Sequence, residues 1–389
     1  MTIFRLLIGQ KLLLGYAVGL LLYILSAYFQ DVSGVQDVSG FFLVAAGVTL
    51  FFLLSIHHVI AHIGRARLYL LLLLAIVVIA CALIFVADSL LGAGLAIVLL
   101  VATTLVVVIF DMLTQSFSTD AADGQMYGAV LSAGNLGFLF GPISAGYIVA
   151  HFMMQGIFFM LVVVYSIVLV AGIVGLAHLR RLNHVTQLQG LTLVRHLWRH
   201  SWFRRAYALS LVLQFFYAVM IVYMPLLLAA HGFSVQQIGV IFTVILVPFI
   251  VVEYPAGVIA DKFLGEREML LGGLALILGS LAVIVTMPLT TLTAWLAVLF
   301  VSRIGAALVE SMSDIYFYKH VESEDVGTIG IYRTAYSMGL LAATLCSTIV
   351  AWFLPESLVA PFGVTIAVVL GGLGIAWHMR DTQPHPEVV

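Results

Sequence analysis

Apolar residues in this chain run in long stretches, separated by short polar segments. Twelve stretches fall at approximately 9–29, 40–60, 68–87, 92–115, 126–150, 156–178, 205–230, 236–260, 268–287, 291–318, 327–352 and 357–379. A helix needs about 20 mostly apolar residues to cross a bilayer. The alternation over about ten residues that marks a membrane β-barrel is absent. The pattern therefore predicts an all-α integral membrane protein with twelve transmembrane helices. Spread over 389 residues, that leaves about 32 residues for each helix and its loop. The loops are short, with no soluble domain between spans.

Composition supports the same class. Charged residues make up 9% of the chain and apolar ones 63%, against about 25% and 45–50% in soluble domains. So few charges could not cover a globular surface in water. The net charge of −2 gives no basic field, which excludes nucleic acid as a partner. The two cysteines, Cys81 and Cys346, both lie in apolar runs and suggest neither a disulfide framework nor a zinc site. The first apolar run continues as a full span with no small-residue cleavage site, so no cleaved signal peptide is expected.

Lysine and arginine predict the orientation. With a cytoplasmic N-terminus, fourteen of the sixteen fall on the cytoplasmic side: Arg5, Lys11, Arg65, Arg67, Arg180, Arg181, Arg195, Arg199, Arg204, Arg205, Lys262, Arg267, Lys319 and Arg380. The opposite loops carry only Asp31, Asp37, Asp88 and Glu356. Arg303 and Arg333 fall within spans. This asymmetry predicts that both termini are cytoplasmic. In the longest loop, 179–204, basic residues interleave with Leu193, Leu197, Trp198 and Trp202. It reads either as an amphipathic segment on the anionic inner leaflet or as a solvated linker.

The halves repeat. Gly40 and Ala61 match Gly239 and Ala260 at an offset of 199. Asp123, Gly128, Ala133 and Gly137 match Asp325, Gly330, Ala335 and Gly339 at an offset of 202. Each half holds six spans, so the repeat is parallel, about an axis along the membrane normal. This predicts two pseudo-symmetric six-helix bundles, residues 1–178 and 205–389, joined by a cytoplasmic linker at 179–204. A solute site is expected near midplane between them.

Two local motifs follow. Between spans eight and nine the chain reads Glu253-Tyr-Pro255-Ala-Gly257-Val-Ile-Ala-Asp261-Lys262, with Gly265 and Arg267 just beyond. Gly257 would let two helices approach closely. Asp261 at a helix end could take the N-terminal amides of a neighbour. Lys262 and Arg267 could then meet acidic helix ends. The segment reads as a cytoplasmic gate, or as a turn and topology signal. Its first-half counterpart, His58-Val-Ile-Ala-His62-Ile-Gly64-Arg65-Ala-Arg67, has histidines where the second half has Gly257 and Asp261. Span five carries Gly134-Asn-Leu-Gly137-Phe-Leu-Phe-Gly141-Pro142-Ile-Ser-Ala145-Gly146. Gly137, Gly141 and Gly146 predict close helix packing, and Pro142 a kink.

Twelve spans in a 6+6 arrangement, the basic central loop and these motifs resemble the major facilitator superfamily over the whole chain. The span 8–9 segment is similar to that family's loop motif, G-x-x-x-D-R/K-x-G-R/K-R/K, with Gly265 and Arg267 one place late. The span-five segment is similar to its antiporter motif, G-x-x-x-G-P-x-x-G-G, with Ala145 replacing one glycine. The resemblance implies alternating access, a cytoplasmic gate formed by Gly257, Asp261, Lys262, Arg267, Arg333, His62 and Arg65, and export against protons.

Ionisable groups within spans are costly and point to function. Arg303, Glu310 and Asp314 in span ten lie 7 and 11 residues apart. On a helix of 3.6 residues per turn they share a face. Thr104, Asp111, Gln115 and Ser118 in span four repeat that spacing. The three carboxylates read as proton or gating groups, or as ion-pair partners of Lys262, Arg267 or Arg333. Arg303 reads as a solute-orienting group or a structural anchor. Glu253 reads as a proton site or an arginine partner. His57 and His58 could titrate near neutral pH, or be hydrogen-bonded residues at a helix end. In the expected cavity spans one and seven, Tyr16, Tyr23, Gln214, Tyr217 and Tyr223 offer aromatic faces with polar tips.

No metal-ligand spacing and no phosphate-binding loop are present, so neither a bound metal nor ATP-driven transport is expected. No cofactor and no enzymatic activity are predicted. The chain reads as a monomeric secondary transporter of the inner (plasma) membrane. It is expected to export a small amphipathic organic solute coupled to protons. The alternatives are proton-coupled uptake of a polar nutrient and, from another class, a polytopic enzyme acting on lipid-linked substrates.

Overall fold

A computed structural model of the protein describes residues 2–115, 123–176, 195, 197–252, 255–256, 259–260, 264–321, 326–354 and 357–379. The regular elements among them are helices, and each falls on a predicted apolar stretch. The first part of the chain forms α1 (Thr2–Ser33), α2 (Ser39–Ile63), α3 (Arg65–Val86), α4 (Leu90–Gln115) and α5 (Asp123–Leu176). At Met153 the backbone of α5 leaves helical geometry (φ 57°, ψ −164°). This break lies where hydropathy separates the fifth and sixth stretches. The second part forms α6 (Ser201–Ala230), α7 (Val235–Val244), α8 (Val247–Val251), α9 (Gly265–Thr286), α10 (Leu292–Tyr318), α11 (Val326–Phe353) and α12 (Ala360–Trp377).

The polarity is that of a protein solvated by lipid. Phe85 is 87% exposed, and Leu90, Trp352 and Phe353 are also exposed, while Lys11, Glu266 and Arg303 are buried. In a bilayer the apolar surface needs no burial. A polar side chain must find its partner inside the bundle. The molecule is an all-α, multi-pass membrane protein.

The helices form two compact units, Met1–Val185 with Leu228–Thr243, and Thr186–Leu227 with Val244–Val389. In the first, α1 packs most extensively along α5. The glycines of both helices make this possible. A Cβ on Gly137 would fall inside the Leu12 carbonyl, one on Gly141 inside the Gly19 backbone, and one on Gly19 at 2.6 Å from the Phe138 carbonyl oxygen. Bare backbone meets bare backbone, which is how helices associate where lipid removes the hydrophobic drive.

The Leu228–Thr243 segment joins this unit against α5 around Pro142. A Cβ on Gly146 would meet the Val235 carbonyl oxygen at 2.7 Å, and one on Gly239 the Pro142 carbonyl oxygen at 2.5 Å. Pro142 has no amide hydrogen to give the backbone ladder, and beside it the Ile143 amide donates to Thr243 Oγ1 at 3.0 Å. Tyr23 stacks on Phe242 at 4.2 Å between ring centroids.

In the second unit α9 packs on α10 and α12, α8 on α10, and α11 on α12. Gly273 and Gly305 bring α9 and α10 into backbone contact, as a Cβ on Gly273 would lie 2.7 Å from the Gly305 carbonyl oxygen.

One residue departs from the charge pattern. Lys11 was expected to be a flanking cytoplasmic charge. It lies well inside α1, buried, with its ammonium paired to Asp111 of α4. A four-carbon stem lets the charge sit away from its own Cα. Counting charges by sequence position therefore does not reveal its burial or its partner.

Candidate functional site

The face where α6 meets α10 gathers the most chemistry. Arg303 is 2% exposed. Its guanidinium carbon lies 5.4 Å from the Phe216 ring centroid and 5.6 Å from that of Tyr217. Aromatic faces attract a weakly hydrated cation and cover its plane. The edge is another matter: Nε and Nη2 are buried without a hydrogen-bond partner. Seven residues on, Glu310 Oε2 accepts a hydrogen bond of 2.7 Å from the Tyr217 hydroxyl. Tyr217 thus reaches two of the three charges of the stripe, the arginine through its ring and the Glu310 carboxylate through its oxygen. Phe249 closes on it edge-on at 6.0 Å.

Further along α10, Asp314 Oδ1 accepts from the Tyr332 hydroxyl at 3.0 Å. Tyr332 stacks on Phe317 at 3.9 Å. Where α9 begins and α10 ends, the Glu266 carboxylate pairs with the Lys319 ammonium. The acid sits in the first turn of α9 and the lysine just past the last turn of α10, and each charge also suits its helix dipole.

In the first unit, Asp111 takes Lys11. This corrects the partners expected for it, Lys262, Arg267 or Arg333. Lys11 also lies 5.7 Å from the Phe110 ring centroid. Its stem runs over Gly134, where a Cβ would lie 3.0 Å from Cε. Lys11, Gly15 and Gly19 recur every fourth residue, so the smooth face of α1 that meets α5 also carries the lysine.

The predicted site residues are thus divided. Tyr217, Arg303 and Glu310 come together, and Asp314 continues their face of α10. Gln214, one turn before Tyr217 on α6, packs closely against Gly339 of α11. Tyr23 belongs to the first unit, on Phe242 and 5.9 Å from Phe138.

Of the expected gate, Arg267 reaches Glu268 at 3.5 Å and lies 5.3 Å from the Trp377 ring centroid. Arg65 donates to the Met112 carbonyl at 3.5 Å. His62 and Arg333 are exposed. Glu253, Gly257, Asp261 and Lys262, most of the 179–204 loop, and the side chains of Gln115, His57 and His58 lie outside the described residues. Gly137, Gly141, Pro142 and Gly146 all serve packing, against α1 and the Leu228–Thr243 segment.

Sequence reasoning passed over Phe216, Glu266 and Tyr332. The only signal for the first is its place beside Tyr217. Glu266 and Tyr332 sit near span ends, where a charge or a phenol is ordinary. Among the described residues, no group of three or more His, Cys, Asp or Glu is placed to hold a metal ion.

Comparison with known proteins agrees with this architecture. The model of the Major Facilitator Superfamily matches residues 12–344. No curated protein matches the chain in sequence. Among solved structures, the nucleoside transporter NupG is similar at a TM-score of 0.73 and 11% identity, over 98% of this chain and 100% of that one. A bacterial homologue of the iron transporter ferroportin, in an inward-facing state, is similar at a TM-score of 0.67 and 16% identity, over 97% and 98%. At these identities the likeness is one of fold.

Proposed function

The chain belongs to the major facilitator superfamily, and from that premise we propose that it takes up a small polar organic solute together with protons. Secondary transport by alternating access is the function of the family fold. The substrate class, the direction and the coupling ion are our reading. So are the twelve-span count, the two six-helix halves and the cytoplasmic placement of both termini in the inner (plasma) membrane.

One observation carries the proposal: Tyr217 joins Arg303 to Glu310 on the facing helices α6 and α10. Arg303 offers donors to a polar solute. Glu310 offers a proton acceptor on the same face of α10, where it accepts from the Tyr217 hydroxyl. Asp111 is committed to Lys11, and protonating it would strand that ammonium inside the first unit, a costly arrangement. Glu310, which accepts from Tyr217 on the face that carries Arg303, is the proton carrier of this reading.

A buried arginine and a partly buried carboxylate on one face suit a polar solute better than the amphipathic export substrate suggested by the span-five motif. The glycines of that motif are accounted for by contacts with α1 and the Leu228–Thr243 segment, so they add no separate support for export. The fold accommodates the proposed class, since a nucleoside transporter shares it.

The test uses proteoliposomes containing the purified protein and an internal pH dye. Pools of nucleosides, amino acids, sugars and carboxylic acids are added outside. Symport predicts that an active pool acidifies the lumen, that Glu310→Gln abolishes the response, and that empty vesicles show none. Lumenal alkalinisation on solute entry would mean proton exchange and restore the export reading. Transport without any pH change would remove the proton from the mechanism.

A further inference from the structure

The Arg303 guanidinium has two distinct hydrogen-bonding edges. Nε–H and Nη2–H lie side by side and form one of them, a fork with parallel donors. These are the two atoms left buried and without a partner. The cation sits over the Phe216 and Tyr217 rings, while its fork has no partner. A charged donor buried without an acceptor is a standing cost. The geometry states what would relieve it: two coplanar oxygens at the spacing of one carboxylate.

We propose that Arg303 is the anion-binding group of the solute site, and that the solute is an organic monocarboxylate. This rests on reading the α6–α10 face as the place where solute binds. The monoanion is favoured over a phosphate ester by charge. The fork supplies one positive charge beside the Phe216 and Tyr217 rings, and a second negative charge on the ligand would stay uncompensated there. Glu310 lies about 10.5 Å along the helix axis, at 1.5 Å per residue, and is itself acidic, so it opposes a dianion further. Neutral polar solutes meet the opposite problem: an amide offers a single acceptor oxygen and leaves one donor of the fork unpaired.

Binding to the purified full-length protein separates this idea from proton coupling, because no gradient is needed. The probes are short aliphatic and aromatic monocarboxylates, among them lactate and benzoate. Each is paired with its primary amide, and phenyl phosphate is added as the phosphate arm. A ligand that binds only the folded form raises its melting temperature.

The expected result is that at least one acid stabilises the wild type while its amide and phenyl phosphate do not. Arg303→Met should lose that response. Arg303→Lys keeps the charge but not the fork, and should bind the same acid about tenfold more weakly. It serves as the folded control if the methionine variant does not fold.

The proposal is overturned if no acid in the set stabilises the wild type, or if amides work as well as acids. It is equally overturned if phenyl phosphate alone is effective, or if the response survives in both variants. Failure of the coupled-uptake reading looks different. Carboxylate binding would persist in these experiments while the lumenal pH response in proteoliposomes was absent.

Discussion

The Lys11–Asp111 pair permits a quantitative test of how this bundle holds its charges. The lysine side chain is 9% exposed and the aspartate side chain 23%, so solvent screens neither strongly. Removing one partner of a buried ion pair costs about 3–5 kcal/mol, because the other charge is left behind. Asp111→Asn strands the more deeply buried ammonium, whose stem is confined over Gly134. Its cost belongs near the top of that range, about 5 kcal/mol. Lys11→Met strands a carboxylate that still has some exposure and belongs near the bottom, about 3 kcal/mol. Methionine keeps an apolar stem against Gly134, so packing changes little. The double variant has no charge to strand. Replacing a buried ion pair with well-packed hydrophobic residues is often neutral or stabilising, and an asparagine amide at the partly exposed position 111 keeps a route to solvent, so the double variant should unfold within about 1 kcal/mol of the wild type or above it. The four proteins form a double-mutant cycle, read as denaturant unfolding in lipid–detergent micelles. The predicted coupling is large, about as large as the sum of the two single losses. If the losses simply add, so that the double variant is the least stable, the two side chains do not interact and the burial argument fails.

Other consequences are as direct. Gly137→Ala should lower the melting temperature by the equivalent of about 1–3 kcal/mol, because the new methyl meets the Leu12 backbone. Gly47→Ala, with open space around it, should not lower it, and equal effects would refute the α1–α5 contact. Thr243→Val removes the side-chain oxygen that accepts from the Ile143 amide. Hydrogen exchange at that amide should quicken by about ten- to a hundredfold, the equivalent of about 1–3 kcal/mol, while the amide of Leu161, buried elsewhere in α5, is unchanged. Tyr217→Phe keeps the ring over Arg303 and deletes the hydroxyl that reaches Glu310. Carboxylate binding should remain while the lumenal pH response falls, and loss of binding itself would show that the hydroxyl serves the solute.

What the chain reveals unaided is whatever depends on runs of neighbouring residues. Bilayer thickness sets a length, and twenty apolar residues in a row meet it wherever they pack. The positions of the helices, the break near Met153 and the shared face of Arg303, Glu310 and Asp314 were therefore legible. So were the span-five glycines as a packing surface, since a side chain of one hydrogen atom has one obvious use in lipid. The family resemblance rested on the same kind of local pattern.

Pairing was not legible. Lys11 read as a flanking charge because sequence position gives the height of a Cα, not where a flexible stem puts its ammonium. Its partner lies a hundred residues away on α4, and the rotation of α1 that brings them together is decided by glycine contacts with α5. The same holds for Tyr217. The chain shows a tyrosine on one helix and two charges on another. Only the packing of α6 on α10 decides that one phenol lies beside the arginine and donates to the glutamate. Periodicity determines which residues of a helix share a face. What that face meets depends on how two helices turn toward each other, and that is settled by steric fit and by each buried polar group's need for a partner where there is no water.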